Sequence, residues 1–298
     1  MERDVCDTFG PPPGAIRLRP LRLRRRATGY AKTFRRSVLS SASTNHRPTR
    51  ALILSAGQGR RLLPFTADRP KCLLELDGRT VIERQIDGLH AAGIQQVFVV
   101  TGYGAAQVEE VLQRRYDMRG IETVFNPFFE VADNLASCWM ARHAMEGTFI
   151  VLNGDTLFDL PVLQRLLEAP PRPITLAIDR KAGYDEDDMK VCLDGDRLTR
   201  VGKKLPLDSV DGESIGMMCF RPQGGAMFRD ALERAMRTPE ALQRWYLSII
   251  DELAGSTGQV FVQSIEGLGW GELDFPEDLE AARGLVRDWD RRAVSAQV

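Results

Sequence analysis

The residues best suited to chemistry in this chain sit close together in Ser55-Ala56-Gly57-Gln58-Gly59-Arg60-Arg61-Leu62-Leu63-Pro64, followed by Arg69-Pro70-Lys71. Two glycines let a backbone approach a ligand closely and turn its N–H groups toward an anion. Arg60, Arg61, Arg69 and Lys71 add the cationic donors that charge-assisted bonds to a polyphosphate need. Two familiar phosphate loops are excluded. No Lys-Ser or Lys-Thr completes a GxxxxGK[ST] P-loop. Leu62 stands where a dinucleotide fingerprint requires its third glycine, which disfavours NAD.

A second constellation is Asn153-Gly154-Asp155, directly after an apolar run. A carboxylate presented at a strand end suits a hard divalent ion. Mg²⁺ takes one or two protein carboxylates and fills its other sites with phosphate and water. Far along the chain, Trp270-Gly271-Glu272-Leu273-Asp274-Phe275-Pro276 supplies further acids, and in extended chain Glu272 and Asp274 share one side. Each acid alone also reads as ordinary structure, Asp155 as a turn residue and Asp274 as a carboxylate favoured at a helix start.

The elements that must position these groups follow from hydrophobic spacing. Apolar runs at 51–55, 97–100, 123–125, 149–152 and 174–178 read as strands, and helical spacing falls at 81–92, 105–115, 134–144 and 161–169. Asp133 is a candidate N-cap for the third of these helices. Strands alternating with helices predict an α/β fold, a Rossmann-like three-layer sandwich with a mostly parallel central sheet. Beyond residue 180 the pattern changes to a hairpin at 191–201, a strand at 215–220, helices at 226–236 and 240–254, a strand at 259–265 and a last helix from Pro276. This second part reads as a small C-terminal hairpin-and-helix portion for an acceptor.

Of the 298 residues, 43% are apolar and 27% charged, as in a soluble globular chain with a sizeable core. No apolar run approaches the roughly 18 residues of a membrane span. Five scattered cysteines without a CxxC pair argue against a zinc ribbon or a disulfide scaffold, and point to reduced thiols in the cytoplasm. The net charge of −1 hides an asymmetry, with residues 1–50 at +9 and the remainder at −10. An acidic body argues against nucleic-acid binding. Residues 1–48, with Pro11-Pro12-Pro13-Gly14 and an Arg-rich stretch from Arg17 to Arg26, read as a disordered basic tail ahead of one domain at 49–298. A targeting segment, a nucleic-acid arm or a start codon assigned too early are the other readings of that tail. Nothing in the sequence signals an oligomeric state.

Leu54 and Ser55 through Leu62, with Pro64, Thr66, Pro70-Lys71, Leu73, Gly78 and Ile82-Glu83, resemble the opening signature of the nucleotidyltransferases that activate sugar phosphates and related phosphate esters. Ser55 stands where that family has Ala. The resemblance runs from about residue 50 to 290. It implies that Ser55, Ala56, Gly57, Gln58, Gly59 and Arg60 cradle a nucleoside triphosphate with Gly154, and that Arg61 and Lys71 contact its phosphates. Glu272, Asp274, Pro276, Asp278 and Leu279 resemble the family's late acidic segment, which implies Asp155 and Asp274 as Mg²⁺ ligands with Glu272 beside them. Asp133-Asn134-Leu135-Ala136-Ser137 resembles a segment of the branch containing CTP:phosphocholine and inositol-1-phosphate cytidylyltransferases, with Asp133 where the branch has Asn. Asn134 is thus a candidate for the base, and an N-cap role for this segment stays open.

The implied reaction is in-line attack by a phosphate or phosphonate oxygen on the α-phosphorus of a nucleoside triphosphate, CTP first among them, with release of pyrophosphate. The acceptor is ionised near neutral pH, so the scarcity of histidine is no obstacle. For a phosphocholine-like acceptor, the cation would seek aromatic faces and carboxylates, and the candidates are Tyr184, Glu213, Trp245 and Trp270. Lys190 is a candidate for the acceptor phosphate or an ordinary strand lysine. Two alternatives remain: a sugar-1-phosphate nucleotidyltransferase using UTP, dTTP or GTP, and a non-catalytic nucleotide-binding subunit.

Overall fold

The computed structural model describes residues 47–295, so the basic tail expected at 1–48 lies almost wholly outside the described residues. The first strand, β1 (Arg50–Leu54), is buried along its centre. A tight hairpin follows, β2 (Glu75–Leu76) against β3 (Arg79–Thr80), turned by Asp77 and Gly78, both at positive φ. Helix α1 (Val81–Ala91) starts with a reciprocal capping box between Thr80 and Glu83. Then come β4 (Gln96–Thr101), α2 (Ala105–Tyr116), β5 (Ile121–Phe125), α3 (Asn134–Met140) and β6 (Phe149–Asn153). A three-residue strand β7 (Thr156–Phe158) leads into α4 (Leu160–Leu167), capped by Asp159 and carrying Pro161 in its first turn.

The second half comprises β8 (Ile174–Asp179), the hairpin strands β9 (Lys190–Asp194) and β10 (Arg197–Gly202), and the nine-residue, fully buried β11 (Gly212–Phe220). After these come α5 (Pro222–Ala235), α6 (Tyr246–Thr257), β12 (Val260–Ser264), β13 (Trp270–Glu272) and α7 (Asp278–Ser295).

Nine strands form one sheet in the order β5-β4-β1-β6-β11-β8-β12-β10-β9, and β13 pairs separately with β7. Strands β4, β1, β5 and β6 pair in parallel, whereas β11 runs antiparallel to both β6 and β8, and β10 antiparallel to β12 and β9. The expected parallel sheet is therefore mixed in its second half. The cause is the connection: the chain reaches β11 from β8 through a hairpin with no helical crossover, and a parallel return requires one.

Successive residues of β1 alternate between two cores. Leu52 packs with α3, α5 and α6 on one face, whereas Ala51 and Ile53 pack with α1, α2 and α4 on the other. A third cluster joins α7 to Leu62, Leu76, Leu157 and Leu273. The hairpin expected in the C-terminal portion forms the edge of the main sheet. The helix expected at 240–254 begins only at Tyr246, because Arg244 and Trp245 are extended.

Candidate active site

In an open α/β sheet, ligands bind beyond the carboxyl ends of the strands where the strand order reverses. Here that point lies at β1, whose neighbours are β4 on one side and β6 on the other. The loop after β1 and the turn after β6 meet there. Gly154 donates its N–H to Leu54 O at 3.0 Å, and a Cβ at Gly154 would lie 2.4 Å from Ser55 Oγ. No other residue fits this approach.

Gly59 is required for two reasons. Its φ of +78° is left-handed, and a Cβ there would lie 2.8 Å from the Cβ of Lys71. The glycine thus gives passage to the stem of the lysine. Thr66 Oγ1 fastens this turn by donating to Gly59 O at 2.8 Å, and Gln58 Nε2 donates to Thr66 O at 3.2 Å. The Gln58 side chain therefore braces the loop. Gly57 faces open space, and the buried Ser55 Oγ has no protein partner. Ala56 is buried behind the loop, its carbonyl accepting from Tyr103 N at 3.0 Å.

Lys71 is the centre of the arrangement. Its Nζ donates to Asp155 Oδ2 at 2.9 Å and to Asp274 Oδ1 at 2.8 Å, joining residues from three distant parts of the chain. Burial works to lower the Lys71 pKa, but Asp155 and Asp274 outweigh it and hold the ammonium above its usual 10.5. For Asp274 burial acts upward, yet Lys71, Arg61 and Lys203 keep its carboxyl below the usual range. Arg61 meets Asp274 at 2.8 Å with its guanidinium 4.9 Å from the centre of the Phe275 ring. Glu272 faces the same group from β13, and burial together with the charges of Asp155 and Asp274 pushes its carboxyl up to about 8.

These acids fit a hard divalent ion. The buried Oδ1 of Asp155 has no partner in the protein, and Asp155 and Asp274 lie close together because both accept from the Lys71 ammonium. Among the described residues no group of three or more His, Cys, Asp or Glu has the arrangement of a self-contained metal cage.

A cavity of about 430 Å³ opens over this cluster, walled by Ser55, Gly57, Gly59, Arg60, Arg61, Lys71, Asp133, Gly154, Asp155 and Asp274. Arg69 turns away and pairs with Asp68 at 3.3 Å. Asn134 Oδ1 accepts from Tyr246 N at 2.9 Å and so caps α6. Asp133 occupies the N-cap position of α3 without a side-chain cap bond, and instead lines the cavity.

Sequence reasoning missed the groups that hold Asp155 in place. Gln85 on α1, 1% exposed, donates from Nε2 to both Asn153 O and Thr156 O at 2.8 Å, clasping the turn that carries Asp155. Tyr246 OH donates to Asn153 Oδ1 at 3.0 Å from the other side. Gln85→Leu should destabilise the protein by about 1–3 kcal/mol through two unpaired carbonyls, and should lower kcat with little change in nucleotide KM. Denaturant unfolding and steady-state kinetics on the same preparation check both effects.

A larger cleft of about 860 Å³ is lined by Tyr184, Met189, Lys203, Leu205, Leu207 and Trp245, among others. Trp245 is 42% exposed there, with Lys203 Nζ 5.2 Å from its ring centre. Lys190 also borders the cleft, but its ammonium donates to the carbonyls of Asp185, Asp188 and Lys203, the last at 2.9 Å. Three carbonyls use all three donors, so Lys190 ties the 185–188 loop to the end of β10. Lys203, unnoticed in the sequence, lines the cleft together with Arg200 and Lys204. Trp270 does not line it and donates from Nε1 to Asp179 Oδ2 at 2.8 Å.

Glu213 is buried in β11, paired with Lys181 at 3.1 Å, and Lys181 also holds Asp188 at 2.9 Å. Burial, reinforced by a hydrogen bond with Asp188, pushes Glu213 up to about 7. A carboxyl with a raised folded-state pKa stabilises the fold below its unfolded value, and that contribution fades as pH rises through the folded value. Glu213→Gln should therefore gain Tm relative to the unsubstituted protein on going from about pH 5 to about pH 8. Paired thermal melts at the two pH values read the effect directly.

Known proteins share this chain's family and fold. Residues 51–245 match the MobA-like NTP transferase domain family. CTP:phosphoglutamine cytidylyltransferase of Campylobacter jejuni is 26% identical over 256 residues, covering 77% of this chain and 97% of that protein. CMP-5'-(3-aminopropyl)phosphonate synthase of Streptomyces rubellomurinus is 28% identical over 244 residues, covering 79% of this chain, and the match spans only 38% of that relative. The inositol-1-phosphate CTP transferase of T. maritima superposes with a TM-score of 0.71 at 19% identity, over 82% of this chain and 96% of that one, and so shares its fold.

Proposed function

The chain belongs to the MobA-like NTP transferase family, and from that premise we propose that it transfers a cytidylyl group from CTP to a small phosphate or phosphonate ester, releasing pyrophosphate. One observation carries this reading above the others. A largely buried lysine holds two carboxylates from the middle and the late part of the chain beside a glycine turn rich in cations. A nucleotide's phosphates and a divalent ion need those charges in one place. The names of the relatives, which specify CTP or CMP together with phosphate or phosphonate compounds, support CTP as the donor and this class of acceptor.

The chain's own groups do the following. Gly57 leaves open space for the phosphates, and Arg61 and Lys71 offset the charge that grows on the departing pyrophosphate. Asp155 and Asp274 would hold Mg²⁺, which when bound supplies charge neutralisation at the α-phosphoryl group. Lys203 meets the acceptor's anion at the border of the second cleft, its charge already felt by Asp274. Trp245 offers an aromatic face to the rest of the acceptor. Since an ionised phosphoryl oxygen attacks unaided, positioning and electrostatics carry the catalysis and no proton-accepting residue is needed.

Pyrophosphate release with each of the four nucleoside triphosphates and Mg²⁺ tests this. The acceptors are phosphocholine, aminoethylphosphonate, inositol phosphate and hexose-1-phosphates. The expected result is release with CTP and a phosphate or phosphonate ester. Release only with UTP, dTTP or GTP and a hexose-1-phosphate assigns a sugar-phosphate transferase. No release with any pair assigns a nucleotide-binding subunit.

A further inference from the structure

The two cavities are joined by one side chain. Asp187, in the loop between β8 and β9, lies 3.4 Å from Arg61 Nη1 through Oδ2 and 3.0 Å from Lys203 Nζ through Oδ1. Arg61 lines the smaller cavity and Lys203 the larger. Charges therefore alternate in a continuous row: Lys203, Asp187, Arg61, Asp274, Lys71, Asp155. The loop that carries Asp187 is itself built firmly. Asp185 Oδ1 accepts the N–H groups of Asp187 and Asp188, and Lys190 ties its carbonyls down from below.

We propose that Asp187 is a positioning residue that competes with the nucleotide's phosphates for Arg61, with Lys203 setting how strongly it competes. This rests on the reading of the smaller cavity as the polyphosphate site. Arg61 is held by two acids, Asp274 and Asp187. To meet a phosphate it must give up part of that hold. The contact to Asp187 is the longer and lies between half-exposed groups, so it is the one that yields. Lys203 shares the same carboxylate and weakens its grip on Arg61. Without Lys203, Asp187 turns wholly to the arginine. An acid beside a phosphate site thus works as an adjustable competitor, and the strength of nucleotide binding is set partly from the neighbouring cavity.

The test is a binding cycle by calorimetry, with Mg·CTP and with tripolyphosphate as a probe that carries no base. Asp187→Asn should tighten both ligands by about two- to fivefold, the range of an exposed ion pair. Lys203→Met should weaken both by a similar factor. Two double variants separate competition from a general field effect. In Arg61→Ala, adding Asp187→Asn should change nothing, and in Asp187→Asn, adding Lys203→Met should weaken binding less than Lys203→Met does alone. Asp187→Glu, which keeps the charge, should restore ordinary affinity. Unchanged affinity in Asp187→Asn, or tightening that persists without Arg61, would overturn the proposal. If tripolyphosphate binds and CTP does not, the choice of base falls and the competition still reads out. If the unsubstituted protein binds neither, the polyphosphate site itself is wrong and the inference falls with it.

Discussion

Lys71→Ala should lower kcat/KM by at least about 10²-fold, the loss expected for one preorganised electrostatic donor. The geometry makes the effect larger than a single contact implies. Lys71 does more than face the phosphates, because its ammonium is also the partner of both Asp155 and Asp274. Without it, two carboxylates face each other with Arg61 and the more distant Lys203 on Asp274 to offset them, and like charges at that range repel. Lys71→Arg should rescue poorly, since the lysine stem passes directly over Gly59 and a planar guanidinium cannot place one nitrogen between both acids. Steady-state kinetics at saturating acceptor measure both variants. Turnover like that of the unsubstituted protein in Lys71→Ala would remove this residue from the mechanism.

The second large effect is expected at Asp155. Asp155→Asn preserves volume and leaves the turn between Gln85 and Tyr246 intact, but it removes the charge whose second oxygen has no partner in the protein. Mg²⁺-dependent activity should fall by about 10³-fold, because Lewis-acid stabilisation is worth several kcal/mol. Thermal stability should change little, as Lys71 keeps its bond to Asp274. A titration of rate against Mg²⁺ concentration, with a melt of the same sample, checks both statements. Activity retained at ordinary Mg²⁺ would mean that the metal is held elsewhere.

Much of this architecture was readable from spacing alone. The strands at 51–54, 97–100 and 149–152 are apolar throughout because both faces of the sheet are covered, and that leaves an unmistakable run. The glycine turn, Lys71, Asp155 and Asp274 were legible because each follows a strand end or carries a family motif, and the structure brings them to one place. What spacing could not show depended on partners distant in sequence. The small β7–β13 pair carries three residues on each side and no periodic signal, yet it sets Glu272 beside the cluster. Asn134, Gln58 and Lys190 also have structural partners that no local pattern shows: Asn134 Oδ1 caps α6, Gln58 Nε2 braces the loop and Lys190 ties two loops together. Lys203 and Gln85 escaped notice for the converse reason. An unremarkable lysine and glutamine acquire their roles only when the fold sets one beside Trp245 and Asp187 and the other behind the Asp155 turn.

Divalent-ion binding in the presence of nucleotide tests the shared role of Asp155 and Asp274 most directly. Mn²⁺, followed by electron paramagnetic resonance, should bind the unsubstituted protein when CTP is present and should lose that CTP-dependent signal when both residues are changed to Asn. Equal nucleotide-dependent Mn²⁺ binding in the doubly substituted protein would contradict the account.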